Sequence, residues 1–179
     1  MKKTLSRCAS CVVVALFALV GCGGGDDPAP QAGSPVVVNT DGTTSFDSRN
    51  LATTLSTIPA QALSDAGAAS LTFMRQEEKL AQDVYTVLDR TWGTQLAVFR
   101  NTAASEATHT KAVRQLLVRY ALPDPTAGFP TGAFADARLQ ALYADLTVQG
   151  AGSLIAALQV GALIEALTIG RRAAGGPSA

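Results

Sequence analysis

The chain has 179 residues, with 14 basic side chains, 14 acidic side chains and a single histidine, His109. This length accommodates one ordinary domain with additional segments. The balanced charge provides no basic face of the kind that nucleic-acid binding requires, so we expect no nucleic-acid partner.

The amino-terminal residues have the pattern of a secretory signal. Three basic residues among the first seven precede an apolar run from Cys11 to Val20, and small residues then lead to Cys22. The end of this segment resembles a bacterial lipobox, which implies that residues 1–21 are a lipoprotein signal peptide and that Cys22 carries a lipid. The alternatives are an ordinary signal peptide or a transmembrane anchor, although the run is short for a span of about 20 apolar residues.

Cys22 would then be the sole cysteine of the mature chain, because Cys8 and Cys11 leave with the signal. We therefore expect neither a disulfide nor a thiolate metal site in the mature domain, and attachment to a membrane through the lipid anchor. Gly23 follows the lipid-bearing cysteine. By resemblance to lipoprotein sorting signals, this predicts a cell-envelope location at the outer membrane, facing the periplasm.

Composition divides the rest of the chain into a tether, a helical domain and a tail. Residues 22–60 are rich in Gly, Pro, Ser and Thr, which bury too little apolar area to order the chain, so we expect a disordered tether. Val36–Val38 is a candidate strand without an obvious partner. Residues 61–170 are predicted to hold four helical segments, over about 64–91, 97–121, 135–149 and 153–169. Residues 171–179 are predicted to be a disordered tail.

Helical phase places an acidic residue at the centre of the apolar stripe on three of these segments. At about 100° per residue, Glu77 lies among the apolar residues of the first segment, whereas Glu78 lies on its flank. Glu106 and Glu165 take the central position on the second and the last segment. An ionised carboxylate among apolar side chains is costly unless it is paired or binds a metal.

Glu106 and His109 have the spacing of a helical metal-ligand pair. Residues three apart on a helix share a face, about 5–6 Å apart at Cβ, and Glu-x-x-His is the ligand pair of di-iron and di-manganese carboxylate bundles. The alternatives are a buried ion pair with an arginine or lysine, and a hydrogen-bonded core histidine. Three centred acids with one histidine favour a metal site. The candidate ligands are Glu77, Glu106, His109 and Glu165.

Three motifs in the helical region match a known family: residues 71–85 (LTFMRQEEKLAQDVY), 105–109 (SEATH) and 160–165 (VGALIE). They resemble the ferritin-like family known as domain of unknown function 2202, and the resemblance covers about Leu63 to Ile169. It implies an all-α, ferritin-like helical bundle with a carboxylate-bridged metal pair. The ligands that the resemblance implies are the same four residues.

Two departures from the family pattern change the expected site. The family usually has an acid three residues after Glu165, where this chain has Thr168, and it continues into a long last helix with a further histidine. We therefore expect a bundle whose C-terminal helix is missing, with a weak two-metal site or a single metal. Oxygen and nitrogen ligands without sulfur suit iron or manganese. Alternatively, two copies of the half-site could pair in a homodimer.

The expected function is that of a lipid-anchored metal-binding protein with redox chemistry, either Fe(II) oxidation or peroxide consumption; the sequence leaves open whether it is an enzyme. The alternatives are a non-catalytic, envelope-anchored helical interaction module and an inactive truncated copy.

Overall fold

A computed structural model describes residues 36–40 and 43–173. The described residues form a two-stranded hairpin followed by helices, and the predicted all-α helical-bundle class is confirmed. The predicted signal peptide, Cys22 and residues 22–35 of the tether lie outside the described residues. The elements are β1 (Val36–Val38), β2 (Thr44–Phe46), α1 (Ser48–Thr57), α2 (Asp65–Trp92), α3 (Val98–Arg119), α4 (Ala137–Ala151) and α5 (Leu154–Ala173).

Side-chain caps fix the start of three of the four long helices. The Ser64 hydroxyl accepts a backbone N–H from the first turn of α2, and the Asp136 carboxylate does the same for α4. The Ser153 hydroxyl accepts the Ala156 N–H at 3.1 Å, as predicted for the last segment. Such caps satisfy N–H groups that have no partner within the helix. The predicted segments therefore agree with the observed helices to within a few residues at each end.

Helix α2 is the central element, and it packs against α3 on one side and against α4 and α5 on another. The main core lies between α2, α4 and α5, where Val84 and Leu88 are fully buried. A second apolar cluster, formed by Leu71, Val113 and Leu117, joins α2 to α3. Full burial of each such side chain contributes about 1.5–3 kcal/mol. The two clusters fix the register of α2 against its neighbours.

Charged residues of α2 hold the loop between α3 and α4. The Lys79 ammonium pairs with the Asp83 carboxylate, donates to the Pro130 carbonyl at 2.9 Å and lies 4.6 Å from the centre of the Phe134 ring. The Asp83 carboxylate also accepts the Gly132 N–H at 2.8 Å. These buried charges are therefore engaged in anchoring the loop, which is a structural role.

The structure differs from the predicted disordered tether over residues 36–40 and 43–57. Val36–Val38 pairs antiparallel with Thr44–Phe46, and Asp47 caps α1 by accepting two backbone N–H groups. Hydropathy does not predict the second strand, because the strand begins with the polar residues Thr44 and Ser45. Its position depends on polar contacts with α3, which lies more than 50 residues away in sequence and which local composition does not reveal.

Helix α5 continues to Ala173, so it covers the first three residues of the predicted tail at 171–179. Residues 174–179 lie outside the described residues. None of the helices in the described part of the chain combines the length and the hydropathy that crossing a bilayer requires.

The contact between α2 and α4 leads to a stability prediction at Gly150. A Cβ at this position would lie 2.4 Å from Cδ2 of the fully buried Leu88. Gly150→Ala should therefore lower the free energy of unfolding by about 1–3 kcal/mol, the usual cost of overpacking. Urea denaturation measures this change.

The same substitution should be stabilising in a Leu88→Ala background, because the cavity accepts the new methyl group and alanine favours a helix over glycine. A double mutant whose destabilisation equals the sum of the two single changes would contradict the proposed contact.

Candidate metal centre

Helices α2 and α3 bring three possible metal ligands together. Glu78 on α2 and Glu106 and His109 on α3 each place one ligand atom within 4.8 Å of the other two. The His109 Nδ1 atom lies 3.0 Å from Glu106 Oε2 and 3.4 Å from Glu78 Oε2. Metal bonds of roughly 2.0–2.2 Å to nitrogen and oxygen hold their ligand atoms about 3–4 Å apart. The two distances from His109 Nδ1 therefore lie in the range that a shared ion requires.

The site lies mainly within the protein. Glu78 is 2% exposed and Glu106 is 6% exposed, whereas the His109 side chain retains 22% exposure. Two carboxylates in such a place are costly unless a cation or a proton offsets their charge. Two buried oxygen donors beside a partly exposed imidazole are therefore a donor set that fits a metal ion.

Without a metal, the cluster retains protons. Burial raises the pKa of Glu106, an effect that the hydrogen bond to His109 opposes and the charge of Glu78 reinforces. Burial alone lowers the pKa of His109, but hydrogen bonds to Glu106 and Glu78, together with their charges, outweigh it and raise that pKa to about 10. Protons thus provide the positive charge that the two carboxylates require.

The structure brings Glu106 and His109 together, as their spacing on one helix predicts, but it places Glu78 rather than Glu77 beside them. Glu77 is half-buried and lines an apolar pocket with leucines of α4 and α5. Glu78 is buried and does not lie on the flank of α2 as predicted, because α2 buries two faces. Glu77 belongs to the α4 and α5 side, and Glu78 belongs to the α3 side.

The spacing between Leu71 and Glu78 in the sequence indicates that Glu78 faces α3. The two residues are seven apart, so they lie two helical turns from each other on one face. Leu71 packs against Val113 and Leu117 of α3, and Glu78 faces the same helix. A heptad row that starts at Leu71 would therefore have indicated Glu78 as the acid facing Glu106 and His109.

Glu165 lies outside this group of converging ligands. It is exposed, and its Oε1 atom accepts the Tyr85 hydroxyl at 3.0 Å. Its predicted place in the centre of a buried stripe is therefore corrected. Helix α5 is apolar around most of its circumference and leaves Ile155, Leu158 and Leu163 exposed, so its hydropathy does not define the buried face.

Tyr85 donates a hydrogen bond from its hydroxyl to Glu165. Its hydroxyl also donates to the Gly161 carbonyl at 3.1 Å. Burial raises the pKa of Tyr85 well above its usual range, and the negative charges of Glu165 and Glu106 add to this shift. The phenol therefore stays protonated and remains a hydrogen-bond donor to Glu165.

The hairpin also contacts the site, through a residue that the sequence analysis misses. The Thr44 hydroxyl oxygen lies 3.4 Å from His109 Nε2. The Thr44 N–H donates to the Ser105 hydroxyl at 2.9 Å, and the Thr44 carbonyl accepts from the Thr108 hydroxyl at 3.0 Å. One strand residue thus lies against three residues of the α3 turn that carries the Glu-x-x-His pair.

Comparison with known proteins places these residues in a family context. The family described as "Uncharacterized protein domain (DUF2202)" matches residues 67–173, which include the three converging ligands but exclude Thr44. The uncharacterized protein MJ0754 of Methanocaldococcus jannaschii is 43% identical over 115 residues. The alignment covers 64% of this chain and 61% of that relative, so the chain spans less than two thirds of the relative's length. No solved structure matches the chain.

The raised pKa values predict how the metal-free protein responds to pH. A pKa that is higher in the folded than in the unfolded state stabilises the fold at low pH, and this stabilisation is lost as pH rises. For His109 the loss should begin above the unfolded value of about 6.5 and continue towards about 10. The slope should approach about 1.4 kcal/mol per pH unit for one proton.

Urea unfolding in the presence of a chelator, at a series of pH values, measures this loss. The His109→Gln variant is the control, and its stability should depend less on pH over the same range. A wild-type protein that becomes more stable than this variant as pH rises would contradict the assignment.

Proposed function

This chain belongs to the DUF2202 family, and we propose that it is a ferritin-like metal-binding protein whose ion is held by Glu78, Glu106 and His109. The observation that carries the proposal is the convergence of these three ligand atoms between two packed helices. The ferritin-like assignment is supported by the helical bundle and by the Glu-x-x-His pair on a core-facing helix.

The donor set favours iron or manganese. Two carboxylates and one imidazole, without sulfur, are ligands that suit these ions. When bound, such an ion would supply one-electron redox chemistry, and the proposed reaction is the oxidation of two Fe(II) ions to Fe(III) by one peroxide, which takes up two protons and becomes two waters. Glu78 and Glu106 balance its charge, and the burial of their carboxylates limits the access of water. On binding through Nδ1, His109 would give up the proton that this nitrogen holds towards Glu106 and Glu78.

We propose one ion per chain. Glu165 is engaged with the Tyr85 hydroxyl, and Glu77 faces the pocket towards α4 and α5. Neither carboxylate joins the three converging donors. This favours the single-metal form of the predicted site over the two-metal form.

The location of the protein is a further part of the proposal. The signal pattern of residues 1–21 and the lipobox-like sequence before Cys22 support a lipid-anchored protein of the cell envelope, at the outer membrane and facing the periplasm. In this setting the metal-binding domain would be attached to the membrane surface through the chain that precedes the hairpin.

A second candidate function is a non-catalytic interaction module. Exposed Ile155, Leu158 and Leu163 on α5 favour it, because they offer apolar surface to another protein or to a second copy of this chain. Metal content separates the two candidates, since an interaction module needs no ion between α2 and α3.

Adjacent glutamates provide a matched test of the ligand set. Full-length protein purified from cells should contain about one iron or manganese ion per chain by elemental analysis. Glu78→Gln and His109→Ala should lower the affinity for Fe(II), titrated without oxygen, by more than about 100-fold. The loss of a ligand should exceed the 10–100-fold effect of losing a residue that merely supports a ligand.

Glu77→Gln is the control, because it makes the same chemical change one residue away and should bind Fe(II) as the wild type does. An equal loss in Glu77→Gln and Glu78→Gln would refute the placement of Glu78. A wild-type protein that binds no iron or manganese would refute the proposed function.

Fe(II) binding should also release protons, because Glu106 and His109 retain protons at neutral pH in the metal-free protein. The apparent affinity should therefore rise with pH. Calorimetric titrations in two buffers with different ionisation enthalpies measure the number of protons released. Heats that are the same in both buffers would show that the ligands bind without losing protons.

A further inference from the structure

Thr44 is the part of the hairpin that touches the metal centre. We infer that its hydroxyl oxygen accepts the His109 Nε2–H and so positions the ring with Nδ1 towards Glu78 and Glu106. Thr44 is thus a positioning residue for a metal ligand, supplied by a segment outside the family domain. Its role in metal binding rests on the function proposed above, whereas the hydrogen bond itself does not.

The two ring nitrogens of His109 have different surroundings. Nδ1 lies 3.0 Å from Glu106 Oε2 and 3.4 Å from Glu78 Oε2, whereas Nε2 lies 3.4 Å from the Thr44 hydroxyl oxygen. An imidazole that binds a metal through Nδ1 must carry its proton on Nε2. That N–H requires an acceptor, and the Thr44 oxygen lies 3.4 Å from Nε2, slightly farther than the usual N–H···O distance of about 2.7–3.2 Å.

Thr44 is held in position independently of the histidine. Its N–H donates to Ser105, and its carbonyl accepts from Thr108, so both of its backbone groups are tied to α3. The residue is only 8% exposed. A β-branched side chain has few χ1 rotamers, which limits where the hydroxyl can point. The hydroxyl is therefore fixed to the same helical turn that carries His109.

The placement of Thr44 extends the metal centre beyond the matched domain. The family match begins at residue 67, whereas β2 ends at Phe46. Groups that orient a metal-binding histidine through its second nitrogen typically change metal affinity 10–100-fold when removed. The hairpin therefore belongs to the working site, although none of its described residues is among the three converging ligands.

Substitutions at Thr44 test this assignment in the full-length protein, with Fe(II) under anaerobic conditions as the probe. Thr44→Val removes the hydroxyl at nearly constant shape and should weaken Fe(II) binding about 10-fold or more. Thr44→Ala should have the same effect, and Thr44→Ser should restore binding. Thr108→Val is the matched control, because it removes one backbone anchor of the hairpin but keeps the Thr44 hydroxyl.

The ring nitrogens provide a second measurement that does not involve metal. His109 is the single histidine of the chain, so its ¹⁵N ring signals belong to one residue, and their couplings to the ring C–H protons distinguish Nε2 from Nδ1. In the metal-free wild type, the Nε2–H should exchange slowly with water. Thr44→Val and Thr44→Ala should exchange it faster, whereas Thr44→Ser and Thr108→Val should not. Circular dichroism confirms that each variant is folded.

Two results would overturn the inference. The first is an Nε2–H signal and an Fe(II) affinity that do not change in Thr44→Val or Thr44→Ala. The second is an equal loss of Fe(II) affinity in Thr44→Val, Thr44→Ser and Thr108→Val. That result would mean that metal binding depends on docking of the hairpin and not on the Thr44 hydroxyl. If the wild type binds no Fe(II), the proposed function fails, but the Nε2–H measurement still decides the role of Thr44.

Discussion

The structure depends on one electrostatic constraint, namely that two carboxylates and an imidazole share a largely buried position between α2 and α3. Apolar packing of Leu71, Val113 and Leu117 holds these helices together close to the charged group. The same contact that supplies stability also removes Glu78 and Glu106 from water. Their negative charge must then be offset by protons or by an ion, which makes the helix interface selective for positive charge.

The helices could be predicted from the sequence because the residues that indicate them lie within or next to each helix. Serine and aspartate caps mark the starts of α2, α4 and α5, and apolar periodicity marks their extent. The hairpin could not be predicted in this way. Its second strand is short and polar, and its position is set by Ser105 and Thr108, which are distant in sequence. Contacts of this kind cannot be inferred from the composition of the strand itself.

The candidate site could be predicted only in part, because the sequence of α2 alone does not show which of its faces packs against α3. The Glu-x-x-His spacing identifies Glu106 and His109, because both lie on one helix and need no knowledge of a neighbour. The choice between Glu77 and Glu78 requires knowing which face of α2 meets α3. A helix that packs on two sides has two apolar stripes. The larger stripe shows that one face is buried, but it does not show which neighbouring helix covers that face. The prediction for Glu165 is wrong for a similar reason, because α5 is apolar around most of its circumference and its hydropathy does not define the buried face.

The connection between α2 and α3 has a consequence for the order of assembly. Only residues 93–97 separate the two helices, and the outermost of the three converging residues, Glu78 and His109, are 31 positions apart in sequence. Closing so short a loop costs little entropy, and contacts at low sequence separation form early in folding. The donor atoms can thus meet before α4 and α5 have joined the bundle. A nascent chain emerging from its N-terminus would present this half of the molecule first.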